Sequence, residues 1–369
     1  MEEIGDNPAL SDLCFPIPLI DSQRYTPFFE QIMHGRPHVT YLSYLGDVKT
    51  SPIFISVEKP SSASPSQRVF IRTAREYTED SDADELAQMP VKRKQSRATL
   101  RALFPEFLHP DAFIIPLKGP QASQVSEDML KLERMLLVRT YKFGVVFASP
   151  IDVTESDMLN NQQTTPEFDA FLALLGAPIV LKGFQGFRGG LDVTQDSTGT
   201  TSYYRKVEEL EVMYHVAPLL PFTPNDAQQL EKKRHIGNDV VVFVFKQAEA
   251  PAFRPAEFLS EFNHVFILVS PKRLDGARFC FQVSVVSKDG VHSTEPPVPN
   301  PPFLLPDDPR AADFLLKKAI NSERAAMYAP SFSTKLGRAR RMLMENLVNQ
   351  YAPSNPPLSK FKRVFQMRF

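Results

Sequence analysis

The stretch EKKRHIGNDVVVFVF, residues 231–245, decides the fold. It begins with charged residues and crowds four cations into Lys232–His235, which favours the last turn of a helix. Gly237, Asn238 and Asp239 follow. The chain then runs through six consecutive apolar residues, 240–245, which is typical of a buried strand. A polar turn between a helix and a buried strand is therefore the first structural prediction.

The helix before this turn is predicted over residues 224–235. Thr223 can cap its first turn, Pro224 suits the first helical position, and Asp226 lies where a carboxylate is favoured. Gly237 is predicted to adopt the left-handed conformation that ends many helices. On these residues alone, the cations have a structural explanation, because each contributes about 0.3–1 kcal/mol at a helix C-terminus.

The strand 240–245 belongs to a region in which strands alternate with helices. KFGVVFAS (142–149), LEVMYHV (210–216) and HVFILVS (264–270) are further strand candidates, and helical segments separate them. Such alternation predicts an α/β layer structure. The chain before about residue 140 is richer in strands, so the overall class is α+β, with an exposed loop predicted over Asp80–Arg97.

The predicted organisation has five segments. They are an irregular N-terminal arm (1–35), a strand-rich domain (36–140), an α/β domain (141–290), a Pro-rich linker with C-terminal helices (291–350), and a tail in which cations alternate with aromatic residues (351–369). The composition of the tail favours contact with anionic lipid or a docking site, and a solvated tail is the alternative.

Composition limits the function classes. The formal net charge of the 369 residues is −1, so no overall field attracts nucleic acid or membrane. Cys14 and Cys280 form no CxxC pair, no run of 18 apolar residues occurs, and the acidic N-terminus lacks the basic start of a signal peptide. The expected setting is the cytoplasm, including membranes where a partner resides.

Common catalytic motifs are absent. The sequence has no GxxxxGK[ST], no GxGxxG after a strand, and no HExxH, GxSxG or CxxC, and its seven histidines show no metal spacing. These absences argue against a self-contained enzyme of a common metal, nucleotide or triad class. They leave open a protein that lends a group to another protein's active site, so enzyme status stays uncertain.

The segment KKRHIGNDVV closely resembles the signature of the Rap-type GTPase-activating proteins, the Rap/Ran-GAP domain family. Further blocks resemble the family in the family's order, over about residues 40–350. These blocks are KFGVVF (142–147), EFDAFLALLG (167–176), LKGFQGFRGGLD (181–192), DSTGT (196–200), VMYHV (212–216), LPFTPNDAQQL (220–230), NHVFILV (263–269) and DFLLKKAINSERA (313–325).

The resemblance implies a function. In this family an asparagine, the Asn thumb, enters the active site of a small GTPase in trans and positions the attacking water, without an arginine finger. Residue by residue, the thumb is Asn238. GTP and Mg²⁺ would be bound by the GTPase, and the chain needs no cofactor or metal of its own. Arginine fingers are worth ~10⁵ in rate, and a comparable gain is expected here through water placement.

The resemblance also assigns supporting roles. Lys233, Arg234 and His235 would contact the GTPase or hold the helix, and Lys142 matches a lysine at the edge of the site. Their alternatives are compensation of the helix dipole, a satisfied helix-end histidine and a surface lysine at a strand start.

Arg188 in FRGGLD could reach the partner, or it could pair with a nearby acid such as Asp192. Asp196 is predicted to close an Asx turn, with Gly199 at its tight position.

The partner is expected to be a Rap-like GTPase in its GTP-bound form, with Rheb or Ral as alternatives because the wider family includes tuberin-like members. A GTPase-binding scaffold without catalysis is the alternative from another class. The family fold further implies a dimerisation-type N-terminal domain, hence a homodimer as against a monomer, and a catalytic domain similar in outline to the G domain.

Overall fold

The computed structural model describes residues 18–19, 27–45, 50–61, 66–74, 84–90, 96–152, 154–273, 279–298, 304–306 and 308–353. Most of the predicted N-terminal arm and the tail from residue 354 onward lie outside the described residues, and so do parts of the predicted loop 80–97. The middle of that loop is a strand, so the prediction of an uninterrupted loop is wrong. The segment pairs with its neighbour from Ser66↔Pro90 to Arg72↔Asp84 despite its acidic side chains, because an edge strand tolerates charge.

The described residues form the following helices and strands. The α-helices are α1 (Phe28–Ile32), α2 (Arg97–Leu103), α3 (Pro120–Leu136), α4 (Glu155–Asn160), α5 (Pro166–Leu175), α6 (Leu230–Ile236), α7 (Pro309–Ala326) and α8 (Pro330–Tyr351). The strands are β1 (His38–Leu45), β2 (Thr50–Glu58), β3 (Ser66–Thr73), β4 (Asp84–Pro90), β5 (Phe113–Pro116), β6 (Thr140–Ala148), β7 (Ala177–Val180), β8 (Thr201–Val207), β9 (Leu210–Val216), β10 (Val241–Lys246), β11 (Val265–Arg273), β12 (Phe279–Ser287) and β13 (Leu304–Pro306).

The chain forms two compact units. The strand-rich unit contains the described residues of 21–138 and 330–369, and the α/β unit contains those of 1–20 and 139–329. Helix α8 thus packs with the first strands of the chain, although the α/β unit lies between them in sequence. The dimerisation role expected of the strand-rich region stays a prediction.

The strand-rich unit is an antiparallel sheet in the order β4-β3-β2-β1-β5. Apolar residues of α3 and α8, among them Met129 and Val348, share one core cluster with strand residues such as Leu42 and Phe54. A buried ion pair also links this core, because Arg72 Nη2 lies 3.0 Å from Glu133 Oε1.

The α/β unit is built on an eight-stranded sheet in the order β13-β12-β11-β10-β6-β9-β8-β7. The four central strands β11, β10, β6 and β9 run parallel, and the outer strands pair antiparallel. The predicted strand 240–245 is confirmed as β10, and its first five residues are buried. Helix-covered parallel strands explain why β10 reads as a continuous apolar run.

An aromatic cluster forms much of the core of the α/β unit. The ring of Phe171 on α5 lies 5.5 Å from that of Phe245 on β10, 5.9 Å from Phe243 and 6.0 Å from Phe281 on β12. These are favourable separations for tilted and edge-to-face pairs. The cluster fixes β10, and with it the turn that precedes β10. In the described part of the chain, no helix is both long and apolar enough to cross a lipid bilayer.

The central position of Phe171 gives a prediction about stability. Phe171→Ala should lower the free energy of unfolding of the α/β unit by about 3–5 kcal/mol, because it leaves a cavity at a fully buried ring. Phe171→Leu, which keeps most of the volume, should cost clearly less. Urea unfolding measures both, and a loss below about 1 kcal/mol for the alanine variant would contradict the role given to this ring.

Candidate functional site

The helix before Asn238 is shorter than predicted. Helix α6 begins at Leu230, not near residue 224, because Asn225 (φ 65°) and Gln229 (φ 47°) adopt left-handed backbone conformations that no α-helix accommodates. Thr223 is therefore not its cap. The Gln229 side chain instead bonds the backbone N–H and carbonyl of Thr223, and Asp226 accepts from the N–H of Leu230 at 2.8 Å.

Gly237 ends α6, but not in the predicted conformation. Its φ is −68°, in the right-handed region. A glycine is required here for space, because a Cβ atom would lie 2.6 Å from the carbonyl oxygen of Lys233. The close approach lets the Gly237 N–H donate to that oxygen at 2.7 Å.

Asn238 is exposed at the end of this turn. Its N–H donates to the carbonyl of His235 at 3.0 Å, and its side-chain Nδ2 donates to the carbonyl of Arg234 at 2.7 Å. The second bond fixes the orientation of the carboxamide, since a carbonyl can only accept. Among the described residues, no donor contacts Oδ1 of Asn238, so this oxygen remains available to a partner.

Asp239, the next residue, is fully buried. Its Oδ2 lies 2.8 Å from Nδ1 of His215, and its Oδ1 lies 3.1 Å from Nζ of Lys142. Nζ of Lys142 also donates to the backbone carbonyl of Asn238 at 2.7 Å. The predicted site lysine therefore bonds the turn itself, which argues against the reading of Lys142 as a plain surface lysine.

His215 connects this network to a second loop. Its Nε2 donates to the carbonyl of Gly189 at 3.0 Å, while its Nδ1 faces the Asp239 carboxylate. Gly189 has a φ of +61°, and a Cβ atom there would lie 3.0 Å from Met213 and 3.2 Å from the imidazole. The loop that carries Arg188 thus depends on a glycine and is hydrogen-bonded to the Asp239 network.

His235 packs on this network rather than projecting as a cation. Its ring makes an edge contact with His215 at a centroid distance of 5.2 Å. The pKa of His235 is lowered to about 4, mainly by burial and also by its interactions with His215, Arg234 and Lys142, while the Asp239 carboxylate acts in the opposite direction. At neutral pH this imidazole is uncharged, so His235 does not add to the basic surface.

The remaining cations of α6 differ in direction. Lys233 Nζ lies 2.7 Å from Oε2 of the buried Glu155 and joins α6 to α4. Lys232, which the sequence analysis did not single out, is fully buried and donates to the carbonyl of Asn161 at 3.2 Å. Arg234 is 73% exposed and lies 3.9 Å from Glu231. Arg234 is therefore the α6 cation that faces solvent.

Arg188 is exposed, and its alternative pairing with Asp192 is wrong. The Asp192 carboxylate instead accepts from the N–H and hydroxyl groups of Thr194 and Ser197, which holds the pKa of Asp192 well below its usual range. Asp192, and not Asp196, closes the Asx-type turn. The predicted tight position of Gly199 is confirmed, since its φ is +97°.

The site lies at the amino-terminal edge of the parallel strands. Asn238 and Asp239 precede β10, and Lys142 lies near the start of β6. Gly144 on β6 leaves room for them, because a Cβ atom there would lie 3.3 Å from the Asp239 carboxylate. Ligands of open α/β sheets bind at the opposite, carboxyl edge. Among the described residues, no cluster of His, Cys, Asp or Glu could hold a metal ion.

Asp239 and His215 are the residues that the sequence analysis missed. Each lies inside a block that resembles the family, Asp239 in KKRHIGNDVV and His215 in VMYHV. Position within these blocks was the only signal, because nothing in the spacing of residues 215 and 239 predicts their contact.

The pKa of His235 gives a prediction about pH. In the unfolded chain His235 becomes protonated as the pH falls below 6.5, whereas in the folded chain it stays neutral down to about pH 4. The unfolded state therefore binds more protons between these values, and stability must fall as pH drops through this window. His235→Gln should flatten that part of the pH profile of unfolding free energy. Arg188→Gln, which removes an exposed cation that is not among the groups shifting the His235 pKa, is the control, and an unchanged slope in His235→Gln would refute the assignment.

Comparisons with known proteins place the chain among relatives. The family model Rap/ran-GAP matches residues 158–341. Mouse "GTPase-activating Rap/Ran-GAP domain-like protein 3" is 34% identical over 345 residues, covering 91% of this chain and 31% of the relative. Mouse "Signal-induced proliferation-associated 1-like protein 3" is 32% identical over 338 residues, covering 89% and 19%.

A solved structure titled "Structure of the TSC2 GAP domain" is 28% identical and covers 54% of this chain and 99% of its own, with a TM-score of 0.45. The chain spans about a third or less of the length of the curated relatives named above. The ordered blocks of sequence, the family match and the relatives lead to one conclusion: the chain belongs to the Rap/ran-GAP family.

Proposed function

We propose that the chain activates GTP hydrolysis by a Rap-like small GTPase, with Asn238 supplying a carboxamide in trans. The observation that carries the proposal is the geometry of Asn238, an exposed side chain on a turn fixed between α6 and a buried strand, with Nδ2 engaged and Oδ1 available. The relatives support the class of activity, since one is named as GTPase-activating.

The carboxamide would position water rather than take its proton. Oδ1 can accept a hydrogen bond from the attacking water and hold the water in line with the γ-phosphate, as a switch glutamine does in other GTPases. An amide is uncharged, so it approaches phosphate oxygens without repulsion. Positioning of this kind is able to supply much of a barrier reduction of roughly 7 kcal/mol, the size of an arginine-finger effect.

The remaining chemistry belongs to the partner. In this proposal the GTPase binds GTP and Mg²⁺, and the chain contributes no nucleotide pocket, metal or cofactor. Arg234 and Arg188, the exposed cations of the site, are assigned to contact acidic surface of the GTPase. Lys142, Lys233 and His235 are assigned to hold Asn238, because each contacts the chain's own groups. The proposed setting is the cytoplasm, including the surface of membranes where the GTPase resides.

The thumb assignment predicts a loss of catalysis without a loss of binding. Asn238→Ala should reduce the single-turnover acceleration of GTP hydrolysis at saturating protein by about 10²–10³-fold, the scale of removing one positioned polar group. Asn238→Asp should reduce the acceleration to a similar extent, because its negative charge is repelled by the phosphate. Binding to the GTP-loaded GTPase should persist in both variants.

Rap, Rheb, Ral and Ras, assayed in parallel, identify the substrate. Acceleration of Rap alone supports the proposal, and a preference for Rheb or Ral moves the chain to that branch. Full acceleration by Asn238→Ala would refute the thumb. Binding that depends on GTP, without acceleration of any of the four, would favour the scaffold.

The directions of the cations give a second prediction. Arg234→Glu should raise the protein concentration that half-saturates activation by about tenfold, equal to roughly 1.4 kcal/mol, and leave the maximal rate unchanged. The effect should shrink at high salt. The control is Arg273→Glu, a similarly exposed arginine paired with Glu167 at the carboxyl end of β11, on the opposite edge of the sheet. Equal effects in the two variants would contradict a specific contact at Arg234.

A further inference from the structure

Four consecutive backbone carbonyls surround Asn238, and each accepts a hydrogen bond from a side chain outside α6. We call residues 236–239 the Asn238 turn. The carbonyl of Asn238 accepts from Lys142 at 2.7 Å, and that of Gly237 accepts from the hydroxyl of Ser260. Those of Ile236 and Asp239 both accept from Nδ2 of Asn263, at 2.9 and 2.6 Å.

Asn263 holds the two ends of the turn with one group. It is fully buried just before β11, and both N–H bonds of its amide are used by carbonyls on either side of Gly237 and Asn238. The opposite placement of its amide would face Oδ1 toward two carbonyl oxygens, so the orientation is fixed by chemistry.

The amide oxygen of Asn263 makes no hydrogen bond within the described part of the chain that would explain the residue. Among the described residues, Oδ1 of Asn263 has no hydrogen-bond partner although it is buried. Leaving a buried acceptor unpaired lowers stability. An apolar residue would avoid that cost, so the two donors of Asn263 are what this position supplies.

A second layer supports the first. Ser260 donates to Gly237 and accepts from the N–H of Phe262 at 3.0 Å, and Nζ of Lys288 donates to the carbonyls of Phe258 and Ser260 at 3.2 and 2.7 Å. The loop that leads to Asn263 is therefore itself held by Lys288, the residue that follows β12. The path of hydrogen bonds runs from Lys288 through this loop to the backbone of Gly237, next to Asn238.

We propose that Asn263 is a positioning residue for Asn238: by holding the carbonyls of Ile236 and Asp239, it keeps the Asn238 backbone in the one geometry from which the carboxamide reaches the GTPase. Ser260 supports it at Gly237. This inference rests on the proposed function. A side chain that must be placed within about 0.5 Å needs such support from its second layer, and misplacement by about 1 Å costs roughly 10²-fold in rate.

The test compares Asn263→Ala and Asn263→Asp with a matched control, Asn321→Ala. Asn321 is an equally buried asparagine of the same unit whose Nδ2 also bridges two carbonyls, those of Pro18 and Glu295, but it lies on α7. The control therefore reports the general cost of losing such a bridge. Ser260→Ala is a milder variant in case Asn263 variants fail to fold.

Two readouts are needed. In single-turnover hydrolysis, Asn263→Ala and Asn263→Asp should lower the maximal rate by about 10–100-fold, while the half-saturating protein concentration changes by less than about threefold. In hydrogen exchange of the isolated protein, the amides of Asn238 and Asp239 should exchange faster by about tenfold or more. Ser260→Ala should show both effects to a smaller extent, and Asn321→Ala neither.

Folded Asn263 variants with normal exchange at residues 238–239 and a maximal rate within about twofold of the unmodified protein would overturn the inference. Equal losses in Asn321→Ala would also overturn it, since the effect would then be general destabilisation. If the unmodified protein accelerates no GTPase, the proposed function fails separately. The exchange rates then decide alone, with faster exchange in the Asn263 variants supporting the hold on the turn and unchanged exchange refuting it.

Discussion

The site depends on the contacts that the buried carboxylate of Asp239 makes with Lys142 and His215. A charge in a protein interior is stable only when it is paired. Oδ1 of Asp239 forms an ion pair with Lys142 of β6, and Oδ2 is hydrogen-bonded to His215 of β9. Because β6 lies between β9 and β10 in the sheet, the carboxylate joins three neighbouring parallel strands where their loops meet. Removal of one partner from such a pair typically costs about 3–5 kcal/mol. Because Asp239 is held in place, the backbone of the neighbouring Asn238 is held as well, although Asn238 itself is exposed.

The exposed side chain of this site and the side chains that hold its turn in place are different residues. Asn238 presents an uncharged amide, and the charged groups that fix it point into the protein or along its own backbone. Lys142 and Lys233 each have an internal acceptor, and His235 is neutral at pH 7 mainly because burial lowers its pKa. The exposed positive charge of α6 is thereby reduced mainly to Arg234. The basic run in the sequence therefore does not produce an equally basic surface in the structure.

Sequence patterns predicted the large features because they depend on burial. The apolar run 240–245 specified a central strand, and the alternation after residue 140 specified an α/β sheet. The predicted start of α6 was wrong because side-chain hydrogen bonds outweighed the local helix propensity. The Gln229 side chain bonds the backbone of Thr223 in the segment where a helix was expected. The Asp239–His215 contact joins residues 24 positions apart, one on β9 and the other in the turn before β10, two strands that are not adjacent in the sheet. No local pattern carries such a contact, and it follows only from the strand order.

The burial of Asp239 beside the exposed Asn238 has a consequence for the length of the turn that carries them. Residues 237–240 join α6 to β10, and the side chains of Lys142, His215 and Asn263 hold the carbonyls and the carboxylate of this turn from three other segments. Insertion or deletion of a single residue would shift Asn238 and Asp239 relative to all three partners at once, whereas a substitution removes one contact at a time. The length of the turn is therefore fixed more strictly than its sequence.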